Sequence, residues 1–171
     1  NLGSDVPWVV DPVMVSTARD RLLNEDAVQS LKDRLISRAW IVTPNIAEAE
    51  VLSGITVSNP NEMILAGKEI LGLGANAVLV TGGHLKGSVL TDVLVSSNGV
   101  DCYESPRFET RHTHGTGCTL ASAIACGLAQ GLSLEESISR ARNYVALAIR
   151  TAPGLGSGNG PLNHSHNIRP Y

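Results

Sequence analysis

The stretch Ala77-Val78-Leu79-Val80-Thr81-Gly82-Gly83-His84 decides the fold. Its first four residues are apolar without interruption, and a glycine pair stops them. In an extended chain successive side chains point to opposite faces, so a strand apolar at every position must be covered on both sides. Working upstream, Trp40-Ile41-Val42-Thr43 has the same character and is stopped by Pro44. Trp8-Val9-Val10 is a third such run and ends at Asp11-Pro12.

Helical patterns separate these runs. Asn24 caps a segment in which Ala27, Val28, Leu31, Leu35 and Ile36 recur at near-helical spacing, which predicts an amphipathic helix over 25–38. Asn45 to Ser53 reads as helix ending at Gly54. Asn59-Pro60-Asn61-Glu62 supplies a cap, a proline at the first helical position and a glutamate three residues on. That helix runs to about Leu73, with Gly74 closing it. Downstream, Val89–Val95 and Val100–Glu104 predict a hairpin turned at Ser97-Asn98-Gly99. Thr116–Gln130 is an Ala-rich helix behind a glycine loop, and Ser133-Leu134-Glu135-Glu136 opens a last long helix to about Thr151. Pro153–Pro170, rich in Gly, Asn, Pro and His, reads as loop. Apolar strands alternating with amphipathic helices predict a three-layer α/β/α fold, a mostly parallel sheet with an antiparallel portion added. There is no repeat and no internal boundary, so residues 1–171 read as one domain.

Composition agrees. The 171 residues are 43% hydrophobic and 17% charged, which excludes general disorder. Aromatics are only 4%, so the core is aliphatic. The net charge is -3 and no Lys/Arg cluster occurs, which argues against a nucleic-acid partner. No apolar run approaches the ~18 residues of a membrane span. Free thiols at Cys102, Cys118 and Cys126 fit neither a zinc knuckle nor a CxxC pair, and point to a reducing, cytoplasmic setting. His112/His114 and His164/His166 form two H-x-H pairs. Neither has a matching Glu or Cys ligand beside it, so loop histidines are the better reading than a metal site.

In open α/β sheets ligands bind beyond the carboxyl ends of the strands. Asp11, Thr43-Pro44-Asn45, Thr81-Gly82-Gly83-His84 and the loop before Thr116 are all expected at such ends. The strongest local signal is His112-Thr113-His114-Gly115-Thr116-Gly117-Cys118-Thr119. Its glycines allow close backbone approach, and first-turn N–H groups with the helix dipole favour an anion such as phosphate. Cys118 lies in the same field, which favours thiolate and makes it a base or a nucleophile. The other reading is a helix that simply starts with small residues and a buried cysteine. Asp11, Asn45 and Glu48 offer oxygen ligands for a hard cation such as Mg²⁺. Asn45 and Glu48 equally form a capping pair, and Thr81-Gly82-Gly83 binds phosphate or merely turns the chain. The alternating Gly154, Gly156, Gly158 and Gly160 fit a loop near a nucleotide or a plain linker. No G-x-x-x-x-G-K-[ST] pattern occurs, which excludes P-loop chemistry.

Val10-Asp11-Pro12-Val13-Met14, Thr43-Pro44-Asn45 with Glu48, Gly82-Gly83-His84, His114-Gly115-Thr116-Gly117-Cys118-Thr119 and Gly158-Asn159-Gly160-Pro161-Leu162-Asn163-His164 occur in that order. Together they resemble the hydroxymethylpyrimidine/phosphomethylpyrimidine kinases of thiamine biosynthesis, in the ribokinase-like superfamily. The resemblance implies two successive transfers of the ATP γ-phosphoryl group. The first goes to the hydroxymethyl oxygen of 4-amino-5-hydroxymethyl-2-methylpyrimidine, the second to its monophosphate. It implies Cys118 as the base or as the group positioning the hydroxyl, and Gly115, Thr116 and Gly117 as the anion hole. Thr81, Gly83 and His84 would meet ATP, again with Gly115 and Gly117. Asp11, Asn45 and Glu48 would hold Mg²⁺, mostly through water. A homodimer is expected on the same ground.

Two departures are visible. The family often has Lys before Gly-Gly-His, and here that position is Thr81; a changed phosphate contact is expected. The family's leading third, with most pyrimidine contacts, has no counterpart, so residues 1–171 alone are expected to bind pyrimidine poorly. Rival readings are a pyridoxal kinase of the same cysteine-containing group, a hydrolase using Cys118 with His112 or His114, and a non-catalytic fragment.

Overall fold

The computed structural model describes residues 6–14, 22–83, 85 and 87–168. They fall into two compact units, Asn1–Arg107 and Phe108–Tyr171.

The first unit holds a five-stranded sheet in the order β1 (Val9–Val10), β2 (Ile41–Val42), β3 (Ala77–Val80), β4 (Val89–Ser96) and β5 (Gly99–Pro106). The pairs β1–β2 and β2–β3 are parallel, whereas β3–β4 and β4–β5 are antiparallel. The mixed sheet expected from the sequence is therefore present. The strands of the first two runs are shorter than expected, because Trp40 is half-exposed and only Ile41 and Val42 enter the ladder. Val78 and Val80 join the main core cluster with Val42, Val93 and Val95. Ala77 and Leu79, on the alternate positions of β3, are buried as well, which is why that strand has no polar face. Fully burying each such aliphatic side chain contributes about 1.5–3 kcal/mol.

Three helices belong to this unit: α1 (Glu25–Arg34), α2 (Ile46–Ser53) and α3 (Pro60–Leu71). Asn24 accepts the Ala27 N–H and caps α1 as expected. The helix ends four residues early, however, and a 3-10 turn over Ile36–Arg38 follows. The tighter turn leaves Leu35 exposed and buries Ile36 completely. Gly54, with φ of 75°, closes α2 in the left-handed conformation. On α3, a Cβ added at Gly67 would stand 2.7 Å from Val95 Cγ2, so the helix lies tight on the sheet. The hairpin is longer than expected, with Ser96 pairing Gly99 at its tip and Val89 pairing Pro106 at its base.

The second unit contains α4 (Thr116–Ala129), α5 (Leu134–Arg150) and the tail that follows. Ser133 and Glu136 form the expected capping box of α5. The helices pack on each other so closely that a Cβ at Gly127 would lie 2.5 Å from Ser137 Oγ. The tail is irregular, as predicted, but anchored: the Asn163 N–H donates to Ala148 O at 3.0 Å, and Leu162 is buried. No helix among the described residues is long and apolar enough to cross a membrane.

Candidate active site

The strand ends of the first unit bring several expected residues together. Asp11 follows β1 directly. Asn45, beyond β2, forms a parallel bridge with Thr81, beyond β3. The Thr81 N–H donates to Pro44 O at 2.9 Å, which joins the two strand tips.

Asn45 is the N-cap of α2 and Glu48 is its third helical residue. The pair is a reciprocal capping box, so the structural reading of this spacing holds. Glu48 does more than cap. It is 3% exposed, and its other oxygen, Oε1, accepts the Met14 N–H at 3.4 Å. Burial, opposed by the Asn45 N–H and reinforced by the nearby Asp11 charge, pushes its pKa from 4.5 to about 7. Two carboxylates thus repel in a poorly solvated place. Hard oxygen donors so arranged suit a hard cation, which would relieve the repulsion. Asn45 Oδ1 already accepts the Glu48 N–H, so Asn45 acts first by holding Glu48.

After β3 the chain is fixed by two charged residues. The Gly82 N–H donates to Asp92 Oδ1 at 2.9 Å, and Asp92 is buried in β4. A Cβ at Gly82 would collide with Thr91 O, so the close approach demands glycine. Around Gly83, by contrast, there is open space. The Arg107 guanidinium donates to Gly82 O, Gly83 O, Leu85 O and Gly87 O. His84 lies outside the described residues.

In the second unit Gly115, with φ of 87°, is the N-cap of α4. It has no side chain to cap the helix, so the first-turn donors meet no side-chain cap there. Thr116, Gly117 and Cys118 form that first turn. Cys118 is exposed and outside any disulfide, which removes the reading of it as a buried structural cysteine. The glycine-rich tail is tied to the segment leading into this turn. His114 bridges Pro161, and Arg111 donates to Gly156 O and Ser157 O at 3.2 and 3.3 Å. The His112 ring occupies the space that a Cβ at Gly160 would need. Among the described residues no group of three or more His, Cys, Asp or Glu could hold a metal.

Asp92, Arg107 and Arg111 escape the sequence reading. Asp92 leaves a trace, since a carboxylate inside Leu90-Thr91-Asp92-Val93-Leu94-Val95 needs a reason. The two arginines leave none, because their partners are backbone carbonyls distant in sequence.

Comparison with known proteins gives these features a setting. The chain is 48% identical over 156 residues to the thiamine biosynthesis bifunctional protein ThiED of Geobacter sulfurreducens, covering 91% of this chain and 32% of that one. It is 47% identical over 161 residues to a hydroxymethylpyrimidine/phosphomethylpyrimidine kinase of Rhizobium meliloti, covering 92% and 60%. The pyridoxal kinase from Staphylococcus aureus in complex with AMP-PCP superimposes with a TM-score of 0.87 at 32% identity, over 95% of this chain and 59% of that one. The chain therefore spans between about a third and three-fifths of the length of these relatives. The fold is the α/β fold of these ribokinase-like kinases, as the sequence implied. The family model of phosphomethylpyrimidine kinase matches residues 3–163, and this chain belongs to that family.

Proposed function

We propose that the protein carrying this chain transfers the γ-phosphoryl group of ATP to the hydroxymethyl oxygen of 4-amino-5-hydroxymethyl-2-methylpyrimidine, and then to the resulting monophosphate. The observation that carries this reading is the start of α4. A left-handed glycine without a side-chain cap exposes an anion-attracting helix end, and an exposed thiol stands one turn in. Kinship with named kinases of this pathway supports it.

In this reading the acceptor oxygen attacks Pγ, the bond to the β–γ bridging oxygen breaks, and ADP leaves. Cys118 holds the acceptor hydroxyl and takes its proton. Gly115, Thr116 and Gly117 face the equatorial oxygens, where charge builds in a loose transition state. Thr81 and Gly83, with His84, meet the ATP phosphates, and Thr81 offers a hydroxyl where the family often has a lysine. Asp11 and Glu48 hold Mg²⁺ mostly through water, with Asn45 fixing Glu48. The cation supplies charge neutralisation on the phosphates. The reading treats both units as parts of one ribokinase-like domain, which the unbroken family match supports. It also entails a small-molecule acceptor without nucleic acid or membrane, a homodimer and a reducing cytoplasm. Cys102, Cys118 and Cys126, exposed and outside any disulfide, suit the last of these.

A second reading, pyridoxal kinase, is favoured by the close superposition on the Staphylococcus enzyme. Measuring kcat/KM of the full-length protein with the hydroxymethylpyrimidine and with pyridoxal decides between them. We expect the pyrimidine to be preferred at least tenfold, a gap of about 1.4 kcal/mol in transition-state binding. Preference for pyridoxal overturns the main reading. Absence of ATP-dependent phosphorylation of either overturns both.

A further inference from the structure

The residues after β3 are gripped by one side chain. Arg107 Nε donates to Gly87 O at 2.9 Å and Nη1 to Gly83 O at 2.6 Å. Its Nη2 donates to Gly82 O at 3.3 Å and to Leu85 O at 2.7 Å. Four of the five guanidinium N–H groups thus end on carbonyls of a single six-residue loop. Arg107 is itself held, because its backbone N–H donates to Ser88 O at 2.9 Å, extending the β4–β5 ladder by one step. From the other side Asp92 Oδ1 fixes the Gly82 N–H.

These bonds have a directional consequence. In a planar trans peptide the N–H points opposite to the C=O. Turning Gly82 O toward the guanidinium therefore turns the Gly83 N–H away from it, outward from the clamp. The charge acts too, since a cation beneath the carbonyls deepens the polarisation of the amides above. An outward N–H with open space around its residue suits a phosphate oxygen.

We propose that Arg107 is a positioning residue for nucleotide binding: it holds the Gly82–Gly83 peptide so that the Gly83 N–H is presented to the ATP phosphates, without contacting ATP. The inference rests on the kinase reading, in which Thr81, Gly83 and His84 meet ATP. It assigns the missing cation at Thr81 a partial substitute, one that works through the backbone.

The test compares Arg107→Ala and Arg107→Lys in the full-length protein. Steady-state kinetics are varied separately in ATP and in the pyrimidine. Hydrogen exchange of residues 82–87 is measured with and without AMP-PCP, the acceptor being absent. Lysine keeps the charge but carries its donors on one atom, which cannot span four carbonyls. We expect the KM for ATP to rise about tenfold in Arg107→Ala and to stay raised several-fold in Arg107→Lys. The pyrimidine KM should change less than about twofold, because the clamp touches only the nucleotide loop. In the wild type AMP-PCP should protect the Gly83 amide, and both variants should lose much of that protection. If Arg107→Ala does not fold, Arg107→Lys carries the test alone. Restoration of the wild-type ATP KM by lysine would overturn the clamp, as would a parallel rise in both KM values. Should the wild type bind AMP-PCP yet phosphorylate no pyrimidine, the kinase reading fails on its acceptor while protection still judges the clamp. A wild-type Gly83 amide that AMP-PCP leaves unprotected overturns the clamp outright.

Discussion

Asn45 and Glu48 hold each other at the start of α2: the Asn45 N–H donates to Glu48 Oε2 at 3.0 Å, and the Glu48 N–H donates to Asn45 Oδ1 at 3.1 Å. The same glutamate is drawn toward Met14 and lies close enough to Asp11 to feel its charge. One side chain is therefore both a helix cap and half of a carboxylate pair, and its two roles separate experimentally.

The first separation is by pH. Glu48 holds its proton more tightly folded, at about 7, than at its ordinary 4.5. A carboxyl raised in this way stabilises the fold fully below pH 4.5, and that contribution is lost as pH rises through about 7. In metal-free buffer the wild type should lose about 3 kcal/mol over this window from Glu48 alone. Glu48→Gln keeps a carbonyl acceptor for the cap and should flatten that part of the profile. Thermal melts of both proteins between pH 4.5 and 8 measure the difference.

The second is by cation. If Glu48 and Asp11 hold Mg²⁺, Glu48→Gln should raise the Mg²⁺ concentration needed for half-maximal phosphoryl transfer by about tenfold, while the capping box preserves the fold. An unchanged Mg²⁺ titration in a folded variant rules out the cation role and leaves the cap.

Cys118→Ala tests the thiol. Removing a general base or hydroxyl-positioning group lowers turnover by about 10²–10⁴-fold. Nucleotide affinity, read by AMP-PCP titration, should change less than about threefold, because the thiol addresses the acceptor. Equal losses in turnover and nucleotide binding would assign Cys118 a structural role.

Gly82 and Gly83 are neighbours with opposite tolerance. Gly82→Ala drives a methyl into Thr91 O, on backbone that cannot yield, and should destabilise by more than about 2 kcal/mol. Gly83→Ala meets open space and should change stability by less than about 1 kcal/mol. Chemical denaturation of the two variants checks the contrast.

Much of this architecture is legible in the sequence. Caps at Asn24, Asn45, Asn59 and Ser133 all accept the expected N–H, because capping is a local interaction that four consecutive residues specify. The buried strand Ala77–Val80 is equally clear, since a short run apolar at every position, closed by two glycines, has no face to offer water. Local pattern fails at Leu35 and Ile36. Both fit helical spacing, yet the core claims Ile36 through a tighter turn, and only tertiary packing decides that.

The site divides along the same line. Gly115 and Cys118 announce themselves, because a glycine before a helix and a thiol in its first turn are neighbours in sequence. The spacing of Asn45 and Glu48 supports two readings, and the fold realises the cap while giving the glutamate a further neighbour in Asp11. Arg107 stays invisible, since its four acceptors are main-chain oxygens that any residue type would supply.

The tight seams at Gly67 and Gly127 bear on anyone wishing to toughen this protein. Swapping glycines within helices for alanine is a common first step toward heat resistance, since it stiffens the unfolded chain. Here that recipe would wedge Val95 away from one helix and Ser137 away from another. A sounder programme would leave both glycines alone and work on the solvent-facing side of the long final helix.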